Sequence, residues 1–378
     1  MNKKLEDKLI ERVKDDPLTL RYMREQTEAI CLEAVKHNPF ALQYVNNQTQ
    51  NICIEAINLN WKALQYVKNQ TEKICLLAIK QDSNAIEYVE NQTEEMCLEA
   101  INKNSNTIEY VKDQTEEVSL KSLKFIGLNL KYIKNQTEDL CLVAVRQNGY
   151  ALEFVERQTN RICLEAVKQD GSALQFVKNQ TPEICLAAVK QYGHSLSYVK
   201  NQTKELCLSA VMQNGYALIY VKDQTEEICR AAINQNENAI EYVKDQTEKI
   251  CLEALKKNVS VLRYIHNQTE KICLEAVKQD KEMILYVDKR YKTISVCKAL
   301  NDVKLAIKHL NFKNKDSRLV ALKLIIDDKN KDSKLLTKII NASYKDKEFI
   351  DIYTKYKLWK YVNFNKLDNE LVKYGMSL

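Results

Sequence analysis

The chain has 378 residues, 45% hydrophobic and 29% charged, with only 6 Gly and 3 Pro and a net charge of +6. That composition excludes a disordered or collagen-like chain. The absence of an 18-residue apolar run, and of an apolar leader behind Met1, predicts a soluble intracellular protein, not secreted and without a membrane span. The charge is uneven: residues 291–378 carry 19 Lys+Arg against 10 Asp+Glu, net +9, which leaves 1–290 at −3.

From Leu5 to Arg290 a 22-residue unit recurs without insertion or deletion, marked by Gln-Thr at Gln26-Thr27, Gln48-Thr49 and every 22 residues to Gln268-Thr269. A period that strict predicts a solenoid, in which each unit covers the apolar face left by its neighbour. Numbering the unit from its Thr, Thr159–Gln180 reads TNRICLEAVKQDGSALQFVKNQ. The Thr at position 1 precedes an acidic pair in many copies (Thr93-Glu94-Glu95), as an N-cap does, and Pro182 stands directly after Thr181. Asn or Asp at position 12 (Asp16, Asn38, Asn60, Asp82) marks a second helix start, followed by Pro at Pro17 and Pro39. The unit is therefore predicted to be helix A over positions 2–11 and helix B over 13–20. A tight turn joins them, to which Gly149, Gly171, Gly193 and Gly215 are assigned. Apolar residues at positions 4, 5, 8 and 9, and again at 15, 16 and 19, give each helix one core face.

The first copy, 5–26, places Lys8 and Arg12 where later copies have apolar residues, which suits a terminal cap. Units then start at 5, 27, 49 and every 22 residues to 269, about thirteen in all. The least regular is 115–136, with Ser119 in the cysteine slot and KFIGLNL in place of the Asn-capped turn. After Val287 the period is lost. The remainder, 291–378, keeps helical patterning in VCKALNDVKLAIKHL, RLVALKLIID and KLLTKIIN and is predicted to be a basic helical cap. The expected fold is thus all-α: an α-solenoid of αα-hairpin repeats over 5–290 with a C-terminal helical cap.

No P-loop, GxGxxG or HExxH is present, and the four His are scattered singly, so no enzyme, catalytic residue, cofactor or metal is expected. Of the twelve Cys, eleven recur at position 5, about one repeat (~10 Å) apart and too far for disulfides. They read as small buried residues in a reducing compartment. The Asn-Gln-Thr triplets match a glycosylation sequon but read better as a helix-ending turn, and the Gln at position 22 as a structural hydrogen-bonding residue. Position 18 is aromatic throughout, from Tyr22 to Tyr286. Its spacing assigns these rings to packing between repeats, although such a row is also a platform on which bases of a single strand stack.

Specificity belongs where the units differ, at positions 14 and 17, which share one helix face. Phe40, Lys62, Tyr150, His194, Tyr216, Ile219 and Arg263 stand there. These side chains either anchor a protein partner or fill gaps over the adjacent turn. In the tail, base and aromatic interleave at Lys355, Lys357, Trp359 and Lys360, a pattern of nucleic-acid contact or of a closing amphipathic helix.

The units at Asn135–Arg157, Asn201–Lys222 and Asn267–Asp280 resemble the short repeats of a protein family abundant in giant DNA viruses and catalogued as a domain of unknown function. The resemblance covers Leu5–Arg290 and excludes the tail. It implies an α-helical repeat protein, and a host cytoplasm or virion as its location. The reading that follows is a non-catalytic protein-interaction scaffold, with nucleic-acid association through the basic C-terminal region as the alternative.

Overall fold

The computed structural model describes residues 3–310, 315–327, 333–343, 349 and 352–353. Among these there are helices and turns and no strand. They form two compact units, Met1–Lys200 and Asn201–Leu378, each built as an α-solenoid of the 22-residue repeat.

Helix A forms as the sequence predicts. In the unit starting at Thr159 it spans Asn160–Gln169, and the Thr159 side chain accepts from Ile162 N. Helix B is a 3-10 helix of six residues, Gly171–Phe176, shorter than the stretch expected. Its entry is fixed by Asp170, whose side chain accepts from Ser172 N. The physical reason for the tighter winding is reach. Six residues span about 12 Å as a 3-10 helix but about 9 Å as an α-helix, against roughly 15 Å for the ten residues of helix A. The tighter coil brings the chain most of the way back along helix A, and an extended residue (Val177, φ −71°, ψ 115°) starts the return to the next Thr.

The core is the same set of positions in every regular copy. Ile30, Cys31, Ala34 and Val35 of helix A, and Ala41, Leu42 and Val45 of helix B, are all buried. Two features hold successive copies together. The first is the position-22 glutamine. Gln48 Nε2 donates to Leu42 O (3.0 Å) in its own unit and to Tyr66 O (2.8 Å) in the next, while its Oε1 accepts from Lys68 N (2.8 Å). In the second compact unit Gln224 repeats the arrangement with Leu218 O, Tyr242 O and Lys244 N. Each glutamine thus bonds two backbone groups of the next copy and adds a second bond to the carbonyl that closes its own 3-10 turn.

The second is the glycine at position 13, which the structure removes from the turn role expected of it. No glycine among the described residues has a positive φ. What Gly149 supplies is proximity: a Cβ there would lie 2.7 Å from Ala166 O of the next helix A, and its N–H donates to Gln169 Oε1 at 2.6 Å. Gly171 meets Ala188 O and Gln191 in the same way.

Within Met1–Lys200, the terminal residues Lys8 and Arg12 are exposed and Val13 is buried. The irregular copy replaces small apolar contacts by a buried polar cluster. Ser122 Oγ donates to Ser105 O (3.0 Å), and Asn129 Nδ2 lies 2.9 Å from both Ser105 O and Ser122 Oγ.

Within Asn201–Leu378 the repeat outlasts its sequence period. Thr293 caps a short helix, Ile294–Ala299, and its Oγ1 donates to Glu270 Oε1 at 2.7 Å. Thr269 does the same to Glu248 (2.8 Å) one unit earlier. Val296 and Cys297 take the core slots of positions 4 and 5. A degenerate copy therefore starts at Thr293, displaced by two residues, with Lys292 where a glutamine would stand. The Lys292 ammonium donates to His309 O (3.3 Å), and burial holds its pKa below the ordinary lysine value. The helices Val303–Lys308, Lys315–Asp327 and Ser333–Ser343 follow.

Candidate interaction face

Two faces of the repeat reach solvent. On helix A the exposed positions carry opposite charges that pair between neighbouring copies, as in Arg146–Glu165 (2.7 Å) and Lys271–Glu248 (3.0 Å). Helix B presents positions 14, 17 and 18, where large side chains vary from copy to copy; others stand exposed at the end of helix A, among them Leu59, Phe125 and Met212.

Position 14 reaches forward onto the position-18 ring of the following copy. Phe40 meets Tyr66 edge-on at 6.2 Å, and Tyr150 meets Phe176 at 5.5 Å. In the second compact unit Tyr216 meets Tyr242 at 5.9 Å. Phe40 and Tyr216 are half-buried by this contact and Tyr150 is exposed. His194 takes a different neighbour, stacking on Tyr192 at 5.2 Å. Lys62 is exposed, with its ammonium 5.5 Å from the Trp61 ring, which in turn packs against Tyr88 at 5.9 Å.

Position 17 divides by chemistry. In several copies a side chain with an N–H or O–H donor folds back on the carbonyl three residues earlier: Gln43 to Phe40 O, Gln65 to Lys62 O, Ser197 to His194 O, Arg263 Nε to Ser260 O. Ile219 cannot, and stands 51% exposed beside Tyr220. The residues of this face therefore differ in what they touch. Phe40, Tyr150 and Tyr216 fill; Ile219 projects.

The position-18 rings divide: Tyr66, Tyr88, Phe176 and Tyr242 pack between repeats as assigned, and a second group does not. Tyr22 (70% exposed), Tyr110 (37%), Tyr198, Tyr220 and Tyr286 lie open to solvent, and the others are half-buried. They are surface groups that the sequence reading missed, as is Leu285 (58%). The overlooked signal is the hydroxyl kept at all but Phe154 and Phe176, since a tyrosine with one apolar and one wet side belongs at a boundary.

The described residues hold no group of His, Cys, Asp or Glu suited to a metal ion. The cysteines are buried, and desolvation lifts their thiols, to about 11 for Cys97 and about 12 for Cys273. Several point at the position-22 glutamine, as Cys163 Sγ does at Gln158 Oε1 (3.7 Å). No helix among the described residues is long and apolar enough to cross a membrane. Lys355, Lys357, Trp359 and Lys360 lie outside the described residues.

A stack of short helical hairpins with a regular interior and a varied outer face defines the class: an α-helical repeat protein of the solenoid type. Within it, the model of the family described as domain of unknown function (DUF4116) matches residues 27–71, 161–204 and 203–247, and those stretches are similar to that repeat family. No curated protein matches the chain.

Proposed function

We infer that the protein is a non-catalytic protein-interaction scaffold that engages its partner through the helix-B face, each compact unit contributing its own set of positions 14, 17 and 18. One observation carries the reading. The joints between copies repeat the same side chains and bonds, whereas the outward residues of helix B change from copy to copy, Ile219 and Leu285 being exposed apolar groups with no internal use. Side chains of this kind contribute binding energy when a partner covers them. Acidic residues at position 17 (Glu87, Glu109, Glu153, Glu241) stand among the basic ones, which favours a protein partner over a phosphate backbone. The free, buried cysteines support a reducing compartment, and the resemblance to giant-virus repeats supports an infected host cell or a virion as its setting.

The test is recovery of partners from lysate by three full-length proteins, each with and without nuclease. They are the unaltered chain, Ile219→Ser with Leu285→Ser, and Lys355→Gln with Lys357→Gln and Lys360→Gln. The scaffold reading expects one protein partner that survives nuclease and the tail substitutions and is lost with the face substitutions. Recovery that follows the tail and vanishes with nuclease would replace it by nucleic-acid association.

A further inference from the structure

The position-22 glutamine joins copies by one repeated set of bonds, but a second joint changes along the chain. It lies where position 13, the first residue of helix B, faces position 11 of the following copy. Within Met1–Lys200 three such joints pair glycine with glutamine. Gly127 N donates to Gln147 Oε1 (2.6 Å), Gly149 N to Gln169 Oε1 (2.6 Å) and Gly171 N to Gln191 Oε1 (2.7 Å). Gly215 and Gln235 repeat the bond in the other compact unit (2.6 Å). An amide at the start of a helix has no partner in its own ladder, and here the next copy supplies one.

The match is needed from both sides. A Cβ at position 13 would stand 2.9 Å from the glutamine oxygen at Gly127 and Gly149, and 2.8 Å from it at Gly171, so a larger residue displaces the glutamine. Where the preceding copy lacks the glycine, a glutamine at position 11 turns elsewhere. Gln279 follows Val259 and donates to Glu275 in its own helix (3.1 Å), and the Gln81 side chain, which follows Trp61, has no hydrogen bond among the described residues. Other joints change both members. Pro39, with no N–H to satisfy, is followed by Leu59. Glu237 is followed by Lys257 and Asn258, and Asn258 Nδ2 donates to its Oε1 at 3.1 Å while the Lys257 ammonium donates to Asn234 O at 3.1 Å.

We propose that position 13 of each copy selects, through position 11 of the next, the copy that can stack on it. The copies 137–158 and 159–180 are then interchangeable modules, whereas those at the glutamate joint fit only the neighbours they have. The partner recognised is another copy of the repeat, and the recognising chemistry is a side-chain amide that reaches an uncovered backbone N–H. The selection holds whatever the helix-B face binds. It makes this block the part of the stack that can gain or lose copies without refitting.

The experiment removes one copy at a time from the full chain, each cut restoring a Gln-Thr junction. Removal of 137–158 sets Gly127 before Gln169, a match. Removal of 225–246 sets Gly215 before Lys257, a mismatch, and a third variant repairs it with Lys257→Gln. Thermal unfolding is followed by circular dichroism, and glycine amide exchange by NMR with [15N]glycine, which labels only 6 residues. The matched cut should leave the midpoint within about 2 °C and the Gly127 amide protected. The mismatched cut should lower the midpoint by about 3–6 °C and speed Gly215 exchange about tenfold, and Lys257→Gln should reverse both. In the uncut chain Gln169→Leu should speed exchange at Gly149, whereas Gln81→Leu, the same change after Trp61, should leave the midpoint unchanged. Protection of Gly215 in the mismatched cut, its failure to return with Lys257→Gln, or equal effects of the two glutamine substitutions would overturn the proposal. If neither 225–246 cut folds, the glutamine substitutions decide alone.

Discussion

Gln246 shows what a repeated side chain does at the scale of one residue. It is buried, donates to Ile240 O (3.0 Å) and Tyr264 O (2.9 Å), and accepts from His266 N (2.8 Å). Gln246→Ala takes a partner from three backbone groups, of which Ile240 O keeps its bond from Val243 N, and is expected to destabilise by about 2–3 kcal/mol. Denaturant titration measures this, with loss of amide-exchange protection at His266 as the local sign. Gln43→Ala, which removes only an exposed fold-back bond, should stay within roughly 0.5 kcal/mol. The cysteines give a second expectation. Burial raises Cys97 to about 11 from an ordinary 9.0, so between pH 9 and 11 the folded chain holds a proton that the unfolded chain has released. Its contribution to stability is full below pH 9 and is lost as pH rises through that window. Stability followed from pH 7 to 11 should therefore decline less steeply for Cys97→Ala, by at most about 1.4 kcal/mol per pH unit. The glutamine's role was legible in the sequence, because a polar residue demanded identically in every copy has a structural cause. The thiol's contact with that glutamine was not, since a small buried residue at position 5 satisfies the same pattern.

At the scale of elements, the existence of two helices per unit was legible and the winding of the second was not. Ala, Leu and Val at positions 15, 16 and 19 fit one face of either an α- or a 3-10 helix, and only the need to span helix A in six residues separates them. Glycine misled for a related reason. A glycine after an Asn reads as a turn, whereas Gly149 keeps an ordinary φ and serves contact with a helix 17 residues on, which no local pattern announces. Gly149→Ala should push its Cβ into Ala166 O and destabilise by about 1–3 kcal/mol, measurable as a lowered thermal midpoint. On the candidate face, Tyr150→Leu gives up an edge-on ring contact and should lose about 0.5–1.5 kcal/mol, whereas Ile219→Ser should leave stability within about 0.5 kcal/mol. That split in denaturation experiments would separate the residues that fill from the one that projects.

For the whole molecule, the periodic stretch disclosed the architecture, and what followed it was concealed by small changes. A two-residue displacement and Lys292 in place of glutamine hid the copy at Thr293, although its cap, its core pair and its bond to Glu270 are those of the others. Because joints are alike, excision of Thr159–Gln180 brings Gln158 directly before Thr181 and supplies the same bonds to its side chain from the next copy. This variant should give a cooperative unfolding transition and an unchanged helical spectrum per residue. Excision of twenty residues from the same place breaks the register and should not. The glutamine joint also has a direction. Gln48 reaches forward to Tyr66 and Lys68, never back to the preceding unit. A polypeptide leaving the ribosome N-terminus first completes each such joint about twenty residues after its glutamine appears, so the growing tip carries a single unfinished unit while everything behind it is already closed.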